Sequence, residues 1–116
     1  MTLDRWSVWL AGLDPVVGSE QGKTRPVLII SKSALNQILP VVNVVPLTTR
    51  KQNRRIYPNE ALIEEQAANL PNESIALCYQ VRTVDKRRLL RKIGDLDDSV
   101  VQDDIIAALC FQLEIV

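Results

Sequence analysis

Pro26-Val27-Leu28-Ile29-Ile30-Ser31 is an unbroken apolar run, and Pro40-Val41-Val42-Asn43-Val44-Val45-Pro46-Leu47 is nearly another. Both are short, rich in branched aliphatics and bounded by proline or polar residues. That pattern reads as strands buried on both faces, not as helices. Around this pair, Trp6-Ser7-Val8-Trp9-Leu10 alternates as a third strand. Ser74 to Val81 reads as a fourth, and Leu89 to Ile93 as a short edge strand. Leu62-Ile63 is a short strand ahead of a loop ending at Pro71-Asn72, and Thr83 to Lys86 a tight turn. Ser33 to Ile38 reads as a helical turn capped by Ser31 or Ser33. Near the end of the sequence, Asp97, Asp98 and Ser99 supply a cap and an acidic first turn. Val101, Ile105, Ala108, Leu109 and Gln112 follow at helical spacing, which predicts an amphipathic helix. Five or six short strands and one helix predict a mainly β (α+β) fold, a small half-open β-barrel with helical cover.

The 116 residues suit one domain, taken as 1–116. Aromatics are only 4% of the chain, so the core must be aliphatic. Self-association would help so small a chain by removing more apolar surface from water. No apolar run approaches the roughly 18 residues needed to span a bilayer. Met1-Thr2-Leu3-Asp4-Arg5 lacks the basic-then-apolar order of a signal peptide, so the expected location is cytoplasmic. Cys78 and Cys110 sit in apolar contexts and read as buried small hydrophobes. The chain has no histidine, so histidine acid–base chemistry is excluded. Two distant cysteines do not make a zinc site, and no cofactor is expected.

The formal charge is zero but uneven. Residues 1–58 carry eight basic and three acidic side chains, a net of +5, and residues 59–116 six and eleven, a net of −5. A neutral total argues against sequence-blind binding to nucleic acid, while the basic first half is compatible with phosphate contacts. A merely solvated charged face would give the same count.

Three polar clusters stand at the ends of apolar strands: Gly18 to Pro26, Pro46 to Arg50 and Gln80 to Lys86. Loop tips held by rigid strands are where binding groups concentrate. Arg25 lies at a strand mouth, where its planar fork of donors suits a phosphate. It could equally pair with Glu20 or Asp85 to pin the loop. The Thr48 hydroxyl could bind a phosphate oxygen or close a turn.

These clusters resemble the toxin family called MazF/PemK (also Kid). Asp14-Pro15, Gly18-Ser19-Glu20-Gln21-Gly22 and Arg25-Pro26 with the aliphatic strand behind them are similar to it. So are Pro46-x-Thr48-Thr49, Gln80-Val81-Arg82-Thr83-Val84-Asp85-Lys86-x-Arg88-Leu89, and Leu96-Asp97-Asp98 leading into the helix. The resemblance runs from about Trp6 to Leu113. Two places depart from it. The family usually opens its first strand with Gly-Asp, where this chain has Trp6-Ser7. Some members carry an Arg-x-Asp pair where this chain reads Leu77-Cys78-Tyr79, which favours a mechanism centred on Arg25 and Thr48.

The resemblance implies an SH3-like barrel homodimer that cuts single-stranded mRNA at short sequences without metal, until a cognate antitoxin with an acidic tail masks it. It implies Arg25 and Thr48 as catalytic, with Ser19, Glu20, Gln21, Lys23, Thr49, Arg50, Gln80 and Arg82 contacting RNA. The RNA surface is expected where the Gly18–Thr24 loop approaches the Thr48–Arg55 segment, made basic by Lys23, Arg25, Arg50, Lys51, Arg54 and Arg55. Two rival readings stay open. A gyrase poison of the CcdB kind shares the fold, but that family ends in Trp-Gly-Ile whereas this chain ends Leu113-Glu114-Ile115-Val116. The other is an RNA-binding barrel that does not cut.

Overall fold

A computed structural model describes residues 2–116; Met1, the first residue of the amino-terminal reading above, lies outside the described residues. The chain runs β1 (Ser7–Gly12), β2 (Thr24–Ile29), α1 (Ser33–Ile38), β3 (Val41–Thr49), β4 (Glu60–Ile63), β5 (Ser74–Leu77), β6 (Arg82–Asp85), β7 (Leu89–Asp95) and α2 (Ser99–Leu113). The strands form one antiparallel sheet in the order β4-β5-β3-β2-β1-β7, with β6 also paired to β3.

The two apolar runs are the spine of this sheet. On β2 and β3, Val27, Ile29, Val42 and Val44 enter one cluster with Trp9 and Leu13. Leu28, Val45 and Leu47 enter another, with Ile63, Ala76, Leu96 and Ile105. Along Val27–Ile29 and Val44–Leu47 both faces are therefore buried, as the missing alternation requires, whereas Asn43 earlier in β3 is exposed. The sheet ends are brought together by a turn instead of a ladder. In the β4–β5 connection, Ala67–Asn69 packs on β7, and Asn69 Nδ2 donates to the Ile93 carbonyl at 3.1 Å. The barrel is thus half open. Gly94 permits this closure, because a Cβ there would overlap the Ala68 backbone carbonyl. Gly94→Ala is expected to destabilise the fold by about 1–3 kcal/mol, and thermal denaturation checks it; an unchanged melting temperature would mean that the turn yields freely.

Sequence and structure differ first between Ser74 and Arg88. The Ser74–Val81 strand stops at Leu77, and Cys78–Gln80 forms a 3-10 turn. The expected tight turn at Thr83–Lys86 is mostly strand β6, and the turn falls at Lys86–Arg88. The cause is pairing with β3. Val84 is buried, and Asn43 Nδ2 donates to Thr83 Oγ1 at 2.8 Å across the ladder. Leu47 pairs with Ala76 and Val44 with Arg82. Three steps along β3 thus face six along the other segment, and the excess bulges out as Cys78–Gln80.

Neither serine caps α1. Lys32 occupies the cap position without a side-chain bond. Ser31 Oγ instead donates to Asn36 Oδ1 and accepts the Asn43 N–H, and Ser33 Oγ accepts the Arg5 N–H. Their hydroxyls tie the helix to its neighbours.

Helix α2 is capped as expected, with Asp98 Oδ1 accepting the Val100 N–H at 2.9 Å, but the expected acidic first turn is absent: Asp97 and Asp98 precede the helix, whose first turn opens Ser99-Val100-Val101. Ile105 and Ala108 are buried, and Val101 and Leu109 pack partly against the same cluster. Gln112 is exposed and accepts from Asn59 Nδ2. The outer side is not uniformly polar: Val100, Ile106, Phe111 and Leu113 lie exposed there. Of the two cysteines, Cys78 is fully buried and Cys110 only half-buried. Burial pushes the Cys78 thiol up to about 12, so it is inert as a nucleophile.

Candidate active site

The β2–β3 ladder pairs Ile29 with Val44, Leu28 with Val45 and Val27 with Pro46, and then stops. Continuing that register would set Arg25 opposite Thr48. Neither Pro46 nor Pro26 has an N–H to extend the ladder, so the strands part at this end. The gap is a cleft of about 180 Å³ lined by Thr24, Arg25 and Pro26 on one side and Leu47, Thr48 and Thr49 on the other. Leu70, Pro71, Asn72 and Ser74 close it. Sequence reasoning missed this third wall. Its residues belong to a connection without periodicity, and only β3–β5 pairing brings it to the cleft.

Arg25 takes neither partner that would have made it a mere loop pin. Glu20 Oε1 accepts the Val17 N–H at 2.6 Å. Asp85 is engaged by the Arg87 guanidinium and N–H, which hold its carboxyl below the ordinary range. Among the described residues no ion pair engages Arg25. Its Nε donates to the Gly22 carbonyl at 3.0 Å. A half-buried guanidinium so held, facing a threonine across an open cleft, is suited to an oxyanion.

The other candidates fall into separate groups. Ser19, Glu20, Gln80 and Arg82 line a second cleft of about 470 Å³ with Val17, Tyr79 and Val81. The Cys78–Gln80 bulge carries Gln80 out to this loop, where its Oε1 accepts the Gln21 N–H at 2.8 Å and its Nε2 donates to the Ser19 carbonyl at 3.4 Å. Tyr79, also missed from sequence, stands beside it, 41% exposed. Lys23 lies at the base of the loop, exposed at φ +61°. Gly18 also has a positive φ, +56°, a conformation that glycine adopts at little cost.

The expected meeting of the Gly18–Thr24 loop with the Thr48–Arg55 segment occurs only in part. Thr24 and Thr48 share a cleft, but Ser19 and Gln21 lean on Gln80 instead. Two of the expected free cations are also committed. Arg50 pairs with Glu73 at 3.0 Å and donates to the Arg54 carbonyl. Arg54 forms a two-pronged pair with Glu60 at 2.8 and 2.9 Å.

The Glu60 side chain is only 2% exposed. Its hydrogen bonds with Arg54, then that from the Tyr57 N–H, hold its carboxyl below the usual range against the opposing effect of burial. Arg54→Ala would strand this carboxylate, at a cost of about 2 kcal/mol after allowing for the part-exposed guanidinium. Because the native pKa lies below the unfolded one, the pair stabilises the fold above the ordinary carboxylate range. That contribution fades as pH falls through the native value. The acid arm of a melting temperature–pH profile should therefore be shallower in Arg54→Ala than in the parent. Parallel arms would show that Glu60 is not linked to folding.

The half-open barrel with its two clefts defines a class, and comparison with known proteins places it. The description "PemK-like, MazF-like toxin of type II toxin-antitoxin system" matches residues 4–113, and the chain belongs to that family. It is 37% identical over 116 residues to Endoribonuclease EndoA of Bacillus subtilis (strain 168), covering 100% of this chain and 98% of that protein. Its fold is similar to MazF of Deinococcus radiodurans, with a TM-score of 0.82 at 24% identity over 99% of each chain. It is also similar to a mycobacterial endoribonuclease solved with its cognate antitoxin, with a TM-score of 0.78 at 22% identity over 98% and 97% of the two chains.

Trp6, just before β1, is held at φ +74°, a conformation costly for a bulky residue. Its N–H donates to the Ile29 carbonyl, its carbonyl accepts the Leu96 N–H, and its ring lies 4.8 Å from the Arg5 guanidinium carbon.

Proposed function

We propose that residues 1–116 act as one barrel domain that cuts single-stranded RNA at short sequences, using the RNA's own 2′-hydroxyl as nucleophile. The chain is a toxin of the MazF/PemK family and an endoribonuclease. The observation that carries the mechanistic reading is the placement of Arg25 and Thr48 in one cleft where the β2–β3 ladder opens. Arg25 holds the scissile phosphate and stabilises charge on the phosphorane. Thr48 donates to a non-bridging oxygen. A guanidinium, with a pKa above about 12, is a poor base in water, so its role is mainly electrostatic. The second cleft, with Ser19, Glu20, Gln80 and Arg82, receives neighbouring nucleotides, and Gln21 supports it through Gln80.

An RNA substrate supports a cytoplasmic site of action. No helix among the described residues is long and apolar enough to cross a membrane. The exposed apolar side of α2 supports assembly as a homodimer. A cognate antitoxin would lay its acidic, disordered tail along Lys23, Arg25, Lys51 and Arg55, which form no ion pair among the described residues, as a mimic of the RNA backbone. Incubation with a long RNA in EDTA tests the function. Cleavage into discrete fragments is expected; binding without cleavage would leave a silent RNA-binding barrel, and loss of cleavage on chelation would overturn the metal-independent mechanism.

A further inference from the structure

Arg25 is aimed by a chain of contacts that begins outside the cleft. Asp14 Oδ1 accepts the Lys23 N–H at 2.8 Å. The carboxylate also sits hard against Gly22, where an added Cβ would lie 2.6 Å from Oδ1 and 3.0 Å from the Val16 methyls. Gly22 presents the carbonyl that receives Arg25 Nε. Behind Asp14, Arg88 Nη1 donates to the carbonyls of Gly12 and Asp14 at 3.1 and 2.6 Å. One guanidinium from the turn just before β7 thus holds the point where the chain leaves β1.

We propose that Asp14, braced by Arg88, is a positioning residue that aims the Arg25 guanidinium through Lys23 and Gly22. The proposal rests on the reading of Arg25 as the phosphate-holding group. Lys23, at φ +61°, is in a region that a β-branched or long side chain enters only when its surroundings fix it. The bond from its N–H to Asp14 supplies that restraint. With the Lys23 and Gly22 backbone fixed, one edge of the Arg25 fork is occupied by the Gly22 carbonyl and its remaining donors face the cleft. Released from Asp14, the Gly22 carbonyl would turn and Arg25 would sample other rotamers. The phosphate could still bind, since charge attraction tolerates disorder. The in-line geometry of the reaction does not, because misplacement by about 1 Å can cost on the order of a hundredfold in rate.

The experiment measures steady-state cleavage of an RNA oligonucleotide by the parent, Asp14→Ala, Asp14→Asn, Arg88→Ala and Arg25→Ala, together with the Arg25 Nε–H resonance of each folded protein that retains Arg25. Asp14→Ala should lower kcat about ten- to a hundredfold with KM within about twofold. Its Arg25 Nε–H signal should lose protection from solvent exchange. Asp14→Asn keeps the oxygen acceptor and should restore kcat to within about threefold, with the signal protected again. Arg88→Ala should lose less than Asp14→Ala, and it carries the test if Asp14→Ala does not fold. Unchanged kcat and unchanged protection in Asp14→Ala would overturn the proposal. So would equal losses in the Ala and Asn variants, which would point to the charge of Asp14. If Arg25→Ala itself cleaves normally, the reading of the site fails; if Arg25→Ala is inactive and Asp14→Ala is not, only the brace fails.

Discussion

Arg25→Ala loses activity by about a hundred- to a thousandfold while folding normally, which corresponds to about 2.7–4 kcal/mol of transition-state stabilisation. The expectation follows from where the residue stands. Arg25 is the second residue of β2, paired through its backbone with Ala11 of β1 but beyond the last β2–β3 pair, so truncating its side chain breaks no ladder hydrogen bond. It forms no ion pair with a carboxylate among the described residues, so its loss strands no buried charge. Stability should therefore change little while the phosphorane loses its main counter-charge. Arg25→Lys should be nearly as inactive. An ammonium restores the charge but cannot both donate to the Gly22 carbonyl in the plane of the fork and present two parallel donors to a phosphate. Thr48→Ala removes a single neutral donor and should cost about tenfold. Single-turnover cleavage of a short RNA at saturating enzyme checks the order of the three. Near-normal cleavage by folded Arg25→Ala would remove Arg25 from the mechanism.

The residues that made this site readable are those whose local sequence carries its own physical signature. Val27 to Ile29 and Val44 to Leu47 lack any polar residue, so their burial on both faces could be read directly. Arg25 and Thr48 could be picked out as polar residues at the ends of such strands. Asp98 preceding a helical apolar stripe announced α2. What could not be read depends on pairing between distant segments. Nothing local in Cys78-Tyr79-Gln80 marks a bulge; it arises because β5 and β6 both pair with β3 in registers that differ by three residues. The same bulge carries Gln80 to the loop and leaves Tyr79 at the second cleft. The commitments of Arg50 to Glu73 and of Arg54 to Glu60 were likewise invisible. A count of basic residues cannot tell a free guanidinium from one spent on a buried carboxylate, and the basic surface is smaller than the +5 balance of residues 1–58 suggested. The outer side of α2 teaches the converse lesson. Val100, Ile106, Phe111 and Leu113 were present in the sequence, but only the packed helix shows them facing away from the core.

A substrate with a single deoxyribose at the cut position should resist cleavage entirely while binding almost as well as the all-ribose strand. The nucleophile in the proposed mechanism belongs to the RNA, and no side chain in the cleft can replace it. The cleft is lined by Arg25, three threonines, Ser74, Asn72 and apolar residues. Its hydroxyls are neutral alcohols with no adjacent histidine, since the chain has none, and an unactivated alcohol is a weak nucleophile. Of the two thiols, that of Cys78 is buried, its pKa pushed up to about 12, and it lies under α2 with its Sγ 3.9 Å from the Ile105 carbonyl. In the proposed mechanism the bond to be broken therefore depends on the adjacent 2′-oxygen, which Arg25 and Thr48 would hold in line with the leaving 5′-oxygen. The products should be a 2′,3′-cyclic phosphate, or the 3′-phosphate from its opening, and a 5′-hydroxyl. Removing one hydroxyl leaves the phosphates and bases intact, so affinity should fall by less than about tenfold. Mass spectrometry of the fragments, with binding measured on the deoxy-substituted strand, separates the outcomes. A 5′-phosphate product, or cleavage of the deoxy-substituted strand at the normal position, would mean that water or a side chain attacks the phosphorus. The phosphate-holding role of Arg25 would survive that result, but the assignment of the nucleophile to the RNA would not.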